Sequence, residues 1–158
     1  MAIRVIVTGQ ENPILRTKAQ KVRTFGKELQ KLVSDLLMTV DHVKGAGLAA
    51  PQIGEGEAVC VAKIAGAFTP LINPNILWAT EEKVLGEEGC LSLPDIWLYV
   101  PRSTEIVLRY QNEKGKEEER RLQGFDARVV QHEVDHLNGI LIVDYHGKGA
   151  AVVPGEAL

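Results

Sequence analysis

The segment QHEVDHLNG (residues 131–139) lies at the centre of the predicted fold, because it indicates a helix that brings two histidines to one face. Positions i and i+4 are neighbours on a helix, so His132 and His136 can offer their imidazoles to one metal ion. Glu133 lies one step round, where its carboxylate would contact a water molecule on that ion rather than the ion itself. The alternative is a polar helix face with two accidental histidines. The pattern favours a general base beside a Lewis acid.

The helical period of this segment continues upstream to Phe125 and ends at Asn138-Gly139. The apolar positions that are expected to face inward are Phe125, Val129, Val130, Val134 and Leu137. The two histidines fall on other positions and therefore do not fill the core. A second amphipathic helix is predicted over residues 27–43, ending at Lys44-Gly45, where glycine can take a left-handed cap.

Short apolar or alternating runs predict strands elsewhere in the chain. The predicted strands are residues 57–64, residues 103–111, residues 116–122 after a turn at 112–115, and residues 70–79. Pro74 interrupts the last of these, which is therefore expected to be an edge strand or a bulged one. Residues 139–145 are expected to form a short buried strand or extended segment. Because no repeat or linker is visible, residues 1–158 are predicted to form a single α+β domain.

Composition excludes several classes of function. Of the 158 residues, 45% are hydrophobic and 25% are charged, and the formal net charge is −3. These values are ordinary for a globular protein and offer no basic field to nucleic acid or anionic lipid. No apolar run approaches the ~20 residues that span a bilayer, and the first residues lack the pattern of a signal peptide. We therefore expect a cytoplasmic protein with reduced thiols, no membrane contact and no nucleic-acid partner.

A catalytic metal needs a third protein ligand and an open position. The position of a third histidine in one metalloprotease pattern is Ile142, and the downstream Glu156 follows Pro-Gly near the chain end, so neither is a good ligand. Cys90, in the glycine-flanked turn GEEGCLSLPD (86–95), is the best candidate, whereas Cys60 lies in a strand and is interpreted as a small core residue. One thiolate and two imidazoles suit zinc, iron(II), cobalt or nickel.

The glycine-rich segment GAGLAAPQIG (45–54) formally contains a dinucleotide-binding pattern, but it follows a helix and is interrupted by Pro51. Glycines also let a backbone crowd a ligand, and Gln52 would offer a neutral amide donor there. The structural alternative is a helix cap followed by a turn.

Three segments, taken together, resemble the signature motifs of the peptide deformylases. They are GAGLAAPQ (45–52), EGCLS (88–92) and QHEVDH (131–136), in the order and with close to the separations usual in that family. Lesser likenesses occur in ENPILRTKA (11–19), VPR (100–102) and GFDAR (124–128), so the resemblance spans about residues 3–145, followed by a short tail at 146–158. The resemblance implies a compact α+β fold with mixed or antiparallel sheets around the central histidine helix.

The resemblance also implies an activity, which is hydrolytic removal of the N-formyl group from the formyl-methionine of newly made polypeptides, with release of formate. Cys90, His132 and His136 would bind one divalent metal, natively Fe²⁺, with Ni²⁺, Co²⁺ or Zn²⁺ also accepted. Glu133 would be the general base, and the Gln52 amide and Leu91 backbone N–H would stabilise the oxyanion. The substrate-binding residues that the resemblance implies are Gly45, Ala46, Gly47, Glu88, Gly89, Phe125 and Val129.

Two departures from the family pattern are visible. The tail that follows Tyr145 is rich in Gly, Ala and Val, so we expect the C-terminal helix with which bacterial members contact the ribosome to be absent. Trp97 occupies a position where many members carry a polar or basic residue near the substrate backbone. Two rival functions remain at this stage, which are a zinc endopeptidase that uses the same helix and a non-catalytic binding module stabilised by a metal.

Overall fold

The computed structural model describes residues 1–146 and the backbone of residues 151–152. Its helices are α1 (Pro13–Arg16), α2 (Lys27–His42) and α3 (Gly124–Leu137), with two short 3₁₀ turns at Ala50–Ile53 and Ile142–Tyr145. Its strands are β1 (Gly47–Ala49), β2 (Val59–Ile64), β3 (Ala67–Ala79), β4 (Lys83–Cys90), β5 (Leu93–Ser103), β6 (Glu105–Gln111), β7 (Glu117–Gln123) and β8 (Ala151–Val152). All strand pairs are antiparallel.

A five-stranded sheet in the order β1-β2-β3-β6-β7 separates the two long helices. Alternate residues of a strand point to opposite faces, and β2 is apolar on both. Cys60 and Ala62 pack in one cluster with α3, whereas Val59 and Val61 pack in another with α2. Helices α3 and α2 therefore pack on opposite faces of this sheet.

A three-stranded sheet in the order β4-β5-β8 forms the other wall around α3. Its inner residues Leu93, Leu98 and Val100 pack with Leu15 and with the segment that follows α3. Cys90 is the last residue of β4 and belongs to the same buried cluster. The packing of this sheet therefore places Cys90 close to α3, which contains His132 and His136.

The predicted α+β class is confirmed, and both long helices lie within one or two residues of their predicted ranges. The edge alternative for residues 70–79 is wrong, since β3 lies in the middle of the larger sheet between β2 and β6. The bulge alternative holds, because the register shifts between Ile72 and Asn75, which leaves Pro74 outside the regular ladder where its missing N–H costs nothing.

Two local predictions are wrong. Residues 142–145 form a 3₁₀ turn rather than a strand, and Asp144 accepts a hydrogen bond from the Leu141 backbone N–H at its start. Phe125, predicted to face the core, is 67% exposed, because its side chain lies at the open rim of a cavity and not in a core cluster.

The expected absence of a C-terminal helix, and the position of Glu156, concern residues that lie outside the described part of the chain. Within residues 1–146 and 151–152, no helix is long and apolar enough to cross a membrane.

Candidate metal centre and active site

The three predicted metal ligands converge in the structure. One donor atom from each of Cys90, His132 and His136 lies within 4.8 Å of the other two. The Cys90 Sγ is 3.3 Å from the His136 Nε2, and the two imidazole ring centres are 5.0 Å apart. Both Cys90 and His136 are buried, with exposed fractions of 9% and 1%. A buried set of two nitrogens and one sulfur fits a borderline transition-metal ion.

Glu88 holds the ring of His132 from behind. The carboxylate Oε1 of Glu88 is 2.9 Å from His132 Nδ1, which leaves Nε2 as the donor atom toward the other ligands. Burial would raise the pKa of Glu88, but hydrogen bonds from Arg102 and His132 outweigh it and hold that pKa well below its usual range. An ionised carboxylate that accepts the second N–H of a ligand histidine fixes the tautomer and the orientation of the ring.

Two arginines complete the coordination of the Glu88 carboxylate. Arg102 donates from Nε and Nη2 to its two oxygens, both at 2.8 Å, and Arg128 donates from Nη1 to Oε2 at 2.6 Å. Arg128 also donates to the backbone oxygens of Val84 and Val100, and so ties α3 to β4 and β5. Burial alone would lower the pKa of Arg102, but its hydrogen bonds with Glu88 raise it overall, so its charge is permanent.

A second acid balances the charge of this group. Arg102 Nη1 contacts the Asp135 carboxylate and the Tyr145 hydroxyl, and Tyr145 donates to Asp135 at 2.6 Å. Two arginines and two carboxylates then leave no net charge in the group that contacts the His132 ring. Sequence reasoning assigned no role to Arg102, Arg128 or Tyr145. The only signal was the presence of the two arginines in the lesser motifs VPR and GFDAR.

Glu133 lies in a nearly closed environment against the backbone of β1. It is 4% exposed, and its Oε1 has no hydrogen-bond partner among the described residues. Burial raises the pKa of Glu133 to about 7, although the neighbouring His132 acts in the opposite direction. A carboxyl group with a pKa near neutrality is suited to take up a proton and give it back.

Gly47 leaves the space that the Glu133 side chain occupies. A Cβ at Gly47 would lie 2.7 Å from Glu133 Oε2 and 2.9 Å from Glu133 Cγ. The glycine-rich segment therefore lets the β1 backbone approach the Glu133 side chain closely, whereas its predicted approach to a ligand stays a prediction.

Gln52 is fully enclosed beside the cysteine. Its Oε1 accepts the Ala49 backbone N–H at 3.0 Å, and its Nε2 donates to Ser92 Oγ at 3.1 Å. The same Nε2 is 3.9 Å from Cys90 Sγ. Leu91 is in the turn between β4 and β5, directly after the cysteine, and its side chain is 36% exposed. Ser92 was quoted in a motif without a role, and the structure places it against Gln52.

A cavity of about 420 Å³ opens onto these residues. All seven predicted substrate-binding residues line it, together with Gln52, Cys90, Leu91, His132 and Glu133. Trp97 also lines the cavity, and its ring lies so close to Gly89 that a Cβ there would be 2.6 Å from it. Phe125 is at the exposed rim, and the glycines supply backbone walls.

Comparison with known families agrees with this geometry. The family model for polypeptide deformylase matches residues 3–150, which is nearly the whole chain. The chain belongs to the polypeptide deformylase family. Deformylases depend on a metal, and Cys90, His132 and His136 form a site that could hold one.

Individual deformylases are similar to this chain over most of its length. The peptide deformylase of Thermotoga neapolitana is 43% identical over 141 residues, covering 89% of this chain and 85% of the relative. The crystal structure of the Thermotoga maritima deformylase superposes with a TM-score of 0.88 at 38% identity and covers 98% of this chain and 100% of that one. A class I type b deformylase of Acinetobacter baumannii, crystallised with Met-Ala-Ser, gives a TM-score of 0.87 at 33% identity over 90% of this chain and 98% of its own.

Proposed function

We propose that this chain is a metal-dependent hydrolase that removes the formyl group from the N-terminal formyl-methionine of new polypeptides, with Glu133 carrying the proton. Its membership in the deformylase family supports the activity. The observation that supports the residue assignment is the convergence of Cys90, His132 and His136 beside the buried Glu133 carboxylate. The products are formate and a free amino terminus.

Cys90 Sγ and the Nε2 atoms of His132 and His136 would hold one divalent ion, for which we propose Fe²⁺, with Ni²⁺, Co²⁺ or Zn²⁺ as substitutes. When bound, the ion supplies Lewis acidity, which lowers the pKa of a water molecule and polarises the formyl oxygen. Glu88 keeps His132 in the tautomer that ligation needs, since its carboxylate accepts the Nδ1 proton.

Glu133 acts on the proton in two steps. Its carboxylate takes a proton from the attacking water as the water oxygen bonds to the formyl carbon. It then delivers that proton to the leaving nitrogen as the C–N bond breaks. The raised pKa of Glu133, which burial brings to about 7, suits both steps near neutral pH.

Two donors from different segments would meet the oxyanion that forms on the formyl oxygen. They are the second N–H of the Gln52 amide, whose first N–H is taken by Ser92, and the backbone N–H of Leu91. Losing one such donor typically lowers the rate by about 10²–10³.

The restriction to formyl groups follows from space around the reacting carbon. A formyl carbon bears only hydrogen, so a closed site beside the buried Glu133 carboxylate can admit it while it excludes larger acyl groups. The methionine side chain would occupy the adjoining cavity, against Val129 and Phe125 of α3 and the backbones of Gly45, Ala46 and Gly89.

The substrates are nascent formyl-methionyl polypeptides, and we place the reaction in the cytoplasm, where such chains are made. Ribosome contact, if it contributes, would bring the enzyme to its substrate and would not alter the chemistry at Glu133.

Formate release from formyl-Met-Ala-Ser tests the function directly. Protein loaded anaerobically with Fe²⁺ or Ni²⁺ is expected to turn over, whereas Glu133→Gln with the same metal content is expected to lose at least about 10²-fold in kcat. Equal inertness of both metal-loaded proteins would refute the enzymatic assignment. Cleavage of internal peptide bonds without formate release would instead support an endopeptidase.

A further inference from the structure

Ser92 ends the EGCLS motif, yet neither the metal centre nor the proton transfer uses it. Its side chain is completely buried, which is unusual for a polar residue unless it is paired. The hydrogen bond that the structure gives its hydroxyl comes from Gln52 Nε2, at 3.1 Å. A buried hydroxyl paired with a proposed oxyanion donor indicates a role in orienting that donor.

The Gln52 amide is held at both ends. The Ala49 backbone N–H donates to its oxygen, and Ser92 Oγ accepts one of the two protons on its nitrogen. Because the protons of an amide nitrogen lie about 120° apart in one plane, occupying one fixes the direction of the other. Nε2 also donates to Cys90 Sγ, at 3.9 Å, so its second proton points towards the metal ligands.

The backbone beneath this pair is anchored by the start of the chain. The Val7 N–H donates to the Gln52 carbonyl oxygen at 2.7 Å, and the Gly9 N–H donates to the Ser92 carbonyl oxygen at 3.0 Å. One extended segment therefore fixes the spacing between Gln52 and Ser92. Ser92 also follows Leu91 directly, so a single turn carries one donor and orients the other.

We propose that Ser92 is a positioning residue, whose hydroxyl fixes the Gln52 amide so that its second N–H points at the oxyanion of the deformylation reaction. This inference rests on the function proposed above and on the role of Gln52 in it. Without the hydroxyl, the first N–H of Gln52 loses its acceptor, so the amide is free to turn and the second N–H no longer keeps one direction.

A double-mutant cycle tests the proposal, using Ser92→Ala, Gln52→Met and the double variant in Co²⁺-loaded protein. Gln52→Met keeps the volume of the side chain and removes the amide. Ser103→Ala is the matched control, since Ser103 is also a buried serine, with its hydroxyl bonded to the Thr80 carbonyl oxygen at 2.8 Å and not to Gln52. If Ser92→Ala does not fold, Ser92→Gly takes its place in the cycle.

We expect Ser92→Ala to lower kcat for formyl-Met-Ala-Ser roughly tenfold with little change in KM, less than the 10²–10³ expected for Gln52→Met. In the Gln52→Met background, the serine substitution should change kcat less than about twofold, and Ser103→Ala should leave kcat unchanged. The Co²⁺ absorption spectrum of Ser92→Ala should match that of the wild type.

Three results would overturn the inference. The first is full activity of Ser92→Ala, and the second is an equal loss of kcat from the serine substitution with and without Gln52. The third is a shifted Co²⁺ spectrum of Ser92→Ala, which would mean that Ser92 acts through Cys90. An inactive wild-type protein would instead refute the proposed function itself, so the two failures are distinguishable.

Discussion

Gly47→Ala offers a sharp test of the active-site geometry, because it adds one methyl group at the point where β1 meets Glu133. The new Cβ would lie 2.7 Å from Glu133 Oε2, whereas ordinary contact begins at 3.4 Å. The carboxylate oxygen has to retreat by 0.7 Å to regain ordinary contact, which is the difference between those distances.

A misplacement of about 1 Å in a catalytic group can lower a rate by about 10²-fold. We therefore expect Gly47→Ala to lose roughly that factor in kcat, while its metal content stays at the wild-type level, because the clashing atoms belong to Glu133 and not to His132 or His136. The assay is formate release from formyl-Met-Ala-Ser, with the metal measured in the same samples.

Gly56→Ala is the matched control for this substitution. The same added Cβ would meet only Ile14 Cδ1, at 3.9 Å, so no side chain has to move and activity should be unchanged. If Gly47→Ala retains wild-type kcat while Glu133→Gln is inactive, the close approach has no functional consequence and the geometric reasoning fails. Loss of metal from Gly47→Ala would also contradict it.

Three further outcomes follow from the charged contacts. Glu88→Gln should raise the dissociation constant for the metal ion by about 10–100-fold, measured by chelator competition, because His132 loses its ionised partner; an unchanged dissociation constant would contradict this role. Arg128→Leu should lower the free energy of unfolding by about 1–3 kcal/mol in urea titrations, since it removes a donor from the buried Glu88 carboxylate and from the carbonyl of the buried Val100; an effect as small as that of the exposed Arg121→Leu would refute it. Burial alone would raise the pKa of Asp35, but hydrogen bonds from Lys31, the Ala2 backbone and Arg4 bring it to about 2. Because that pKa is lowered on folding, its contribution is present above pH 4 and is lost as the pH falls toward 2, so wild type should lose about 1 kcal/mol relative to Asp35→Asn over that range; parallel pH curves would exclude it.

The metal ligands could be predicted from the sequence to different degrees. His132 and His136 follow from helical spacing alone, since residues four apart share a face in any helix. Cys90 required a second step, because its place beside them depends on how β4 packs against α3, 46 residues away along the chain. Cys90 was inferred to be the third ligand because two histidines alone do not complete a catalytic metal site, and because the family resemblance implies a cysteine at this position.

Strand and helix patterns predicted α2, α3 and the strands β2, β3, β6 and β7, but not the β4–β5 pair, because residues 86–95 were predicted to be a turn. Pro74 suggested an edge strand, yet a bulge absorbs the proline inside the sheet. Phe125 shares the helical period of the core residues, but its ring lies at the rim of the cavity and is exposed. Periodicity indicates which side of a helix is apolar, and not whether a neighbouring element covers every position on that side.

Local spacing and residue chemistry were enough to indicate a histidine helix, a thiolate partner and a deformylase-like site. The contacts that give this site its properties lie between segments distant in the chain: Glu88 on His132, Arg102 and Arg128 on Glu88, Gly47 beneath Glu133, and Ser92 on Gln52. None of them follows from spacing, because each depends on the packing of two sheets around α3. Helical geometry is a property of consecutive residues, whereas burial, pKa and donor direction belong to the folded surroundings.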